Sequence, residues 1–176
     1  ITENDRTQIG NPHPDFTLGL NLNFSYKGFD LNVTGTGAFG QQIAKSYRSF
    51  ADSPLQNYTT DIFGRWTGEG TSNKLPRLTS GSHTNWQNIS DIYIEDGDYL
   101  KIQNLTIGYD FKKLFPSMPL GQARLYFTAQ NLITFTGYSG MDPEIGYGYG
   151  KSWVSGIDLG YYPSPRTYMV GVNLKF

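Results

Sequence analysis

The sequence predicts an all-β protein of about five antiparallel strands that form part of a large transmembrane β-barrel with long extracellular loops. The first observation is that, from Phe16 to Tyr26, apolar residues alternate strictly with Thr, Gly, Asn and Ser. This period of two is typical of a strand with one face in lipid and the other in water. The pattern returns after Lys27 and Gly28, and again in the last segment, which finishes at Phe176. The third observation is the composition, with 13 Tyr, 11 Phe and 21 Gly but only 38% hydrophobic residues, which suits strands and turns.

Composition also excludes several kinds of protein. The net charge of -1 gives no reason to expect a nucleic-acid partner. The absence of cysteine rules out a disulfide framework and any thiolate nucleophile or metal ligand within these residues. No apolar run reaches the roughly 18 residues of a spanning helix, whereas a barrel strand needs only about 9 to 11. The first residues lack the basic start and apolar run of a secretory signal, so we expect processing or truncation of a longer chain.

The predicted strands follow from the alternation, and Lys27-Gly28 predicts a tight turn between the first two. In the third strand the phase changes, because Leu100 and Ile102 lie on the face that is polar further along. A β-bulge and passage above the membrane both explain this change. The predicted strands span 14–26, 29–40, 99–111, 123–135 and 166–176.

Two aperiodic segments, 41–98 and 136–165, are predicted to be extracellular loops. Each is longer than the roughly 15 residues usual for a loop in a compact domain, whereas barrels carry long external loops. The turn at Lys27-Gly28 and the connection 112–122 then lie in the periplasm. Five antiparallel strands cannot close a bacterial barrel of the usual even count, and both free edges would leave backbone groups unpaired in lipid, so we expect further barrel strands beyond these residues.

Many short motifs occur in one order along nearly the whole chain. They are Gly10–Phe16, Tyr26–Asp30, Arg65–Thr67, Pro76–Leu78, Glu95–Ile102, Asn104–Tyr109, Gln130–Leu132, Phe135–Tyr138, Asp142–Glu144, Tyr162–Tyr168 and the terminal Leu174–Phe176. In this order and spacing they resemble the C-terminal part of the barrel of SusC/RagA-type TonB-dependent outer-membrane transporters.

That resemblance implies a large outer-membrane barrel closed by an N-terminal plug, energised by the TonB complex and capped outside by a SusD-like surface lipoprotein. Such transporters import glycans or peptides, so an oligosaccharide or a peptide is the implied substrate. The plug and the TonB-contacting segment are expected outside these residues. The implied protein is not an enzyme and needs no cofactor.

Loop aromatics are the candidate substrate-binding residues, since aromatic rings stack on the faces of sugars. Packing within the loops is the alternative role for the same rings. These candidates are Trp66, Trp86, Tyr147, Tyr149 and Trp153. The terminal Phe176 is the candidate assembly signal, a role that the resemblance to outer-membrane proteins implies.

No catalytic or metal-binding residues are predicted. The acidic residues that precede the third strand lack the spacing of a calcium loop and have no companion base, which favours a hydrogen-bonded turn. His13 and His83 are too far apart in sequence to suggest a metal pair. Two other classes of protein stay open at this point: a soluble β-sandwich that binds carbohydrate or mediates adhesion, and an outer-membrane enzyme on a small barrel.

Overall fold

The computed structural model describes residues 3–47, 60–78, 90–145 and 155–176. They belong to two compact units, here called the sheet unit and the loop unit. Within the described residues, no helix is both long enough and apolar enough to cross a membrane.

The sheet unit comprises Asp15–Phe39, Asp98–Gly137 and Pro163–Phe176. The strands of the described residues are β1 Phe16–Tyr26, β2 Phe29–Phe39, β3 Gln42–Ala44, β4 Ile94–Asp96, β5 Tyr99–Asp110, β6 Gln122–Thr136 and β7 Thr167–Lys175. Five of them form one antiparallel sheet in the order β1-β2-β5-β6-β7. Their ends lie within two residues of the predicted ones. The predicted all-β fold of five antiparallel strands is therefore confirmed.

Short connections join the sheet strands at one end. Lys27 and Gly28 both have positive φ, 47° and 93°, as the turn of a two-residue hairpin requires. After β5 the chain forms a 3₁₀ helix at Phe111–Lys113, and the Asp110 carboxylate caps it by accepting a hydrogen bond of 3.0 Å from the Lys112 amide. These local interactions let the chain reverse direction with few residues.

A β-bulge in β5 explains the change of phase in the sequence. On β2, Thr34 pairs with Asn104, and the next residue, Gly35, pairs with Ile102. Gln103 is therefore an extra residue on β5. The register between β5 and β6 shifts at the same point. Of the two explanations that the sequence left open, the bulge is the observed one, and it keeps the apolar residues on both sides of it on one face of the sheet.

The sheet unit has almost no apolar core. Among its described residues, the buried apolar side chains are three alanines, Ala38, Ala123 and Ala129. Most of the large apolar side chains lie on one exposed face instead, although Met169 lies on the opposite face. A sheet in this state depends on another apolar medium or surface to cover that face.

The loop unit comprises Ile1–Pro14, Gly40–Gly97 and Tyr138–Tyr162. Its described helices are short 3₁₀ turns at Glu3–Asp5, Thr60–Gly64 and Asp91–Tyr93. The sequence predicted segment 41–98 as one aperiodic loop, but its two ends pair as the antiparallel strands β3 and β4.

A third piece of chain completes the centre of the loop unit. Ala44 forms a parallel bridge with Ile157. The Ala44 amide donates to the carbonyl oxygen of Gly156 at 2.7 Å, and its carbonyl oxygen accepts from the Asp158 amide at 2.8 Å. Ile43 is almost completely buried beside this bridge, so the two long loops share one small core.

Candidate functional site

The first functional feature is the apolar face of the sheet unit. Side chains at its two edge strands are the most exposed, with Leu22 on β1 at 55% and Val170 on β7 at 73%. A β-sandwich covers such a face with a second sheet. Among the described residues, the only other sheet consists of the three-residue strands β3 and β4. This arrangement disfavours the soluble sandwich that the sequence left open.

The opposite face of the same strands is polar and carries an ion pair. Arg124 donates from Nε and Nη2 to the two carboxylate oxygens of Asp30, at 2.8 and 2.5 Å. Gly108 lies between them, and a Cβ there would come within 2.6 Å of the Asp30 and Arg124 side chains. The Arg124 guanidinium also lies over the Tyr126 ring, 4.9 Å from its centroid. The absence of a side chain at Gly108 therefore lets the pair lie flat against the sheet.

Hydrogen bonds between side chains continue across this polar face. Asn32 donates to Asn23 at 2.6 Å, and the hydroxyls of Thr106 and Thr128 lie 3.0 Å apart. On the same face, the buried Oδ1 of Asn104 accepts no hydrogen bond from another described residue. One side of the sheet is thus suited to an apolar medium and the other to water or polar groups.

The loop unit contains a separate polar network built from distant parts of the sequence. The Lys45 ammonium lies 3.1 Å from Glu95 Oε1 and also donates to the Ser139 hydroxyl. Ser139 donates to Glu95 twice, from its amide to Oε2 at 2.9 Å and from its hydroxyl to Oε1 at 2.8 Å. Burial acts to raise the pKa of Glu95, but the hydrogen bonds from Ser139 and Lys45 outweigh it and lower that pKa. The network therefore joins three segments around a charged carboxylate.

Another carboxylate of the same unit, that of Asp158, is almost completely buried. Asp158 Oδ2 accepts a hydrogen bond of 2.6 Å from the Tyr138 hydroxyl, and Oδ1 accepts one of 2.7 Å from the Gly160 amide. Burial raises the pKa of Tyr138, and the Asp158 carboxylate raises it further. Tyr138 is therefore a neutral hydrogen-bond donor that joins the two ends of the segment 136–165.

A cleft of about 840 Å³ opens beside the Lys45 network. A volume of this size is typical of small-molecule sites. Its lining mixes charged, hydroxyl and aliphatic side chains. The lining residues are Lys45, Thr60, Asp61, Gly64, Ser72, Asn73, Lys74, Leu75, Asp91, Ile92, Tyr93, Ile94, Glu95 and Ser139.

The predicted aromatic site is only partly described. Trp66 is 40% exposed and lines a smaller cleft of about 500 Å³ with Leu75, Pro76 and Arg77. The Trp66 amide donates to the carbonyl oxygen of Leu75 at 2.9 Å, which fixes the position of its backbone. The other four predicted rings, Trp86, Tyr147, Tyr149 and Trp153, lie outside the described residues. A half-exposed ring at the wall of a cleft fits both roles predicted for Trp66, packing of its loop and contact with a ligand.

The remaining predictions from the sequence concern the C-terminal residue and the acidic side chains. Phe176 follows β7 and is 94% exposed. Among the described residues, no group of three or more His, Asp or Glu side chains is arranged to hold a metal ion. Sequence reasoning missed Lys45, Ser139 and Asp158, since they belong to no motif and meet only in the folded loop unit.

Comparisons with known proteins show which proteins share this sequence and fold. No protein-family model matches the sequence. The chain is 36% identical over 181 residues to TonB-dependent receptor P3 of Formosa agariphila, and 26% identical over 178 residues to TonB-dependent receptor SusC of Bacteroides thetaiotaomicron. Each match covers 100% of this chain but only 18% and 16% of those proteins. A solved structure of the RagAB peptide importer in its open-open state matches with a TM-score of 0.71 and 26% identity, over 93% of this chain and 17% of that one.

The fold, the two-faced strands and these relatives support a fragment of a TonB-dependent receptor. More particularly, the chain is similar to a segment of the barrel of the SusC/RagA type of these receptors, as its motifs predicted. The chain spans less than a fifth of the length of these curated relatives, at 16% and 18%.

Proposed function

We propose that the protein to which this chain belongs is an active importer in the bacterial outer membrane, energised by TonB. It takes up glycans or peptides together with a SusD-like surface lipoprotein. The observation that carries this proposal is the pairing of an uncovered apolar face with a hydrogen-bonded polar face on the same five strands. Similarity to SusC and to the RagAB importer supports it.

In this proposal the sheet unit forms part of the barrel wall. Its apolar face contacts lipid, and its polar face, including the Asp30–Arg124 pair, lines the interior. The loop unit lies on the extracellular side and contributes contacts to substrate and lipoprotein. The plug and the TonB-contacting segment are supplied by the rest of the receptor. The segment contributes no catalytic group, because import requires binding and movement rather than bond cleavage.

Uptake by living cells tests the proposal. Three strains are compared: one with the intact receptor, one with its gene deleted and one with TonB disrupted. Each is given a defined mixture of oligosaccharides and peptides, and depletion of every component from the medium is measured by mass spectrometry. We expect one set of solutes to be depleted only by the strain with both receptor and TonB. Identical depletion by all three strains would contradict the proposal.

The lipoprotein partner is tested separately. An affinity tag on the full-length receptor is used to isolate it from detergent-solubilised outer membranes, and copurifying proteins are identified by mass spectrometry. We expect a surface lipoprotein in stoichiometric amount. Isolation of the receptor alone from freshly solubilised membranes would contradict this part of the proposal.

A further inference from the structure

The short connections at one end of the sheet unit lie side by side and are here called the rim. The rim consists of the turn Lys27–Gly28 and the connection between β5 and β6, residues 111–121. The Asp110 amide, at the start of this connection, donates to the carbonyl oxygen of Gly28 at 2.8 Å. The stem of Lys113 lies against the turn, since a Cβ at Gly28 would come within 2.9 Å of its Cβ and Cγ. These contacts bring Lys27 and Lys113 to the same end of the sheet.

Hydrogen bonds fix the shape of the connection between β5 and β6. The Lys112 ammonium donates to the carbonyl oxygens of Pro116 and Met118, at 2.8 and 2.6 Å. The Phe115 amide donates to the carbonyl oxygen of Phe111 at 2.8 Å. Lys112 therefore uses its donors to hold the connection in one conformation.

The rim exposes apolar side chains next to lysines. Leu114 is 56% exposed and Phe115 is 52% exposed. Lys113 precedes them in the sequence, and it is exposed, as is Lys27. Neighbouring exposed apolar side chains indicate a surface that contacts something other than water. Leu and Phe beside Lys are typical of segments that lie in the headgroup layer of a membrane.

The rim is continuous with the apolar face of the sheet. The Lys27 ammonium lies over the Tyr26 ring, 5.3 Å from its centroid. The Phe111 ring packs edge-on against the Tyr109 ring, with 5.3 Å between the centroids. Tyr26 and Tyr109 both pair with Phe29, an exposed residue of the apolar face. Whatever covers the apolar face at this end therefore also meets the rim.

The two acidic side chains of the neighbouring strand ends are engaged elsewhere. Asp30 pairs with Arg124 on the polar face of the sheet. The Asp110 carboxylate accepts hydrogen bonds from the amides of Lys112 and Ala123, at 3.0 and 3.2 Å. These carboxylates therefore leave the positive charge of the exposed lysines available to a negatively charged partner.

We propose that the rim binds the headgroups of anionic phospholipids. Lys27 and Lys113 contact the lipid phosphates, and Leu114 and Phe115 enter the apolar layer beneath them. Charge complementarity and continuity with the apolar face both favour this partner. The inference rests on the proposed function, because it requires the apolar face to lie in lipid with the rim on the periplasmic side.

Fluorescence quenching in vesicles tests the inference on the full-length receptor. A fluorophore is attached at Ser117→Cys, an exposed position of the rim. Phosphatidylcholine vesicles contain a small share of nitroxide lipid with either a phosphatidylglycerol or a phosphatidylcholine headgroup, the nitroxide being at the same acyl position. We expect phosphatidylglycerol to be preferred at this site by about fivefold for each lysine at low salt, and less as salt is added. A fluorophore at Phe16→Cys, at the other end of β1, is expected to show no preference.

Variants separate the contribution of charge from that of apolar contact. Lys27→Gln and Lys113→Gln are each expected to lower the preference about fivefold. Lys175→Gln removes the same charge at the same end of the sheet but from the polar face, and it keeps the preference. Replacement of both Leu114 and Phe115 by Ser is expected to weaken quenching by the two lipids equally. A merely structural role for the lysines would not change the ratio of the two lipids.

Three results would overturn the inference: equal quenching by the two lipids at Ser117→Cys, a preference unchanged in both lysine variants, or a site that neither lipid reaches because protein covers it. A fluorophore at Val170→Cys, on the apolar face of β7, decides the proposed placement independently. If lipid quenches at Val170→Cys but not at the rim, the barrel wall stands and the headgroup site is wrong. If lipid quenches at neither position, the proposed function itself fails.

Discussion

An arginine at Leu22 is expected to disrupt assembly of the receptor, because that side chain points into lipid in the proposed barrel. β1 has 11 residues, which at ~3.3 Å each and a tilt of ~45° span about 25 Å across the bilayer. Asn21 is the central residue, so Leu22 lies only ~2 Å from the midplane by the same geometry. Leu22 is 55% exposed on the apolar face of the sheet. An arginine near the midplane on that face costs about 2 to 4 kcal/mol.

The neighbouring residue provides a matched control, since Asn21 lies on the opposite face of the same strand. Asn21→Arg removes one exposed hydrogen bond of 2.9 Å from Asn23 and is expected to cost at most about 1 kcal/mol. Both variants of the full-length receptor are refolded into lipid vesicles, and urea unfolding is followed by fluorescence. We expect Leu22→Arg to lower the folding equilibrium by roughly 30- to 700-fold. Equal stability of the two variants, or a larger loss for Asn21→Arg, would refute the assignment of the faces.

Three further outcomes follow from the contacts. Gly108→Ala is expected to separate Asp30 from Arg124 and to lower the free energy of unfolding in vesicles by up to about 1 kcal/mol, and an unchanged urea midpoint would contradict this. The pKa of Glu95 is lowered in the folded state, so the stabilisation by its network is complete above the ordinary value of 4.5 and is lost as pH falls through the lowered pKa. Hydrogen exchange in the loop unit is therefore expected to be faster in Glu95→Gln than in the wild type at pH 7, and the two rates converge in acid; a constant difference would count against it. Deletion of Phe176 is expected to reduce the amount of heat-modifiable receptor in the outer membrane on gels, whereas wild-type amounts would mean that the residue is no assembly signal.

Alternation made the sheet predictable from the sequence, because a strand between lipid and water repeats every two residues. The change of phase at Leu100 and Ile102 was visible, but its cause was not, since the residues themselves do not specify a register. Pairing with β2 shows that Gln103 is the extra residue. Local pattern thus predicts the strands, whereas bulges depend on their partners.

The loop unit was much less predictable, because its contacts join residues that are far apart in sequence. Lys45 meets Glu95 from 50 positions away and Ser139 from 94. Strands of three residues, such as β3 and β4, are too short to show a period. Glu95 was recognised only as one of several acidic residues for which a hydrogen-bonded turn was favoured. Its role in joining the loops required the fold.

Depth measurements along β7 test the central claim, that these strands form a lipid-facing wall of an outer-membrane receptor. Single cysteines are placed at Val170, Val172, Met169 and Asn173 of the full-length receptor, since the segment has none of its own. A fluorophore on each is quenched either by nitroxide lipids or by a water-soluble quencher. We predict lipid quenching at Val170 and Val172 and aqueous quenching at Met169 and Asn173. The same quenching at all four positions would contradict the claim.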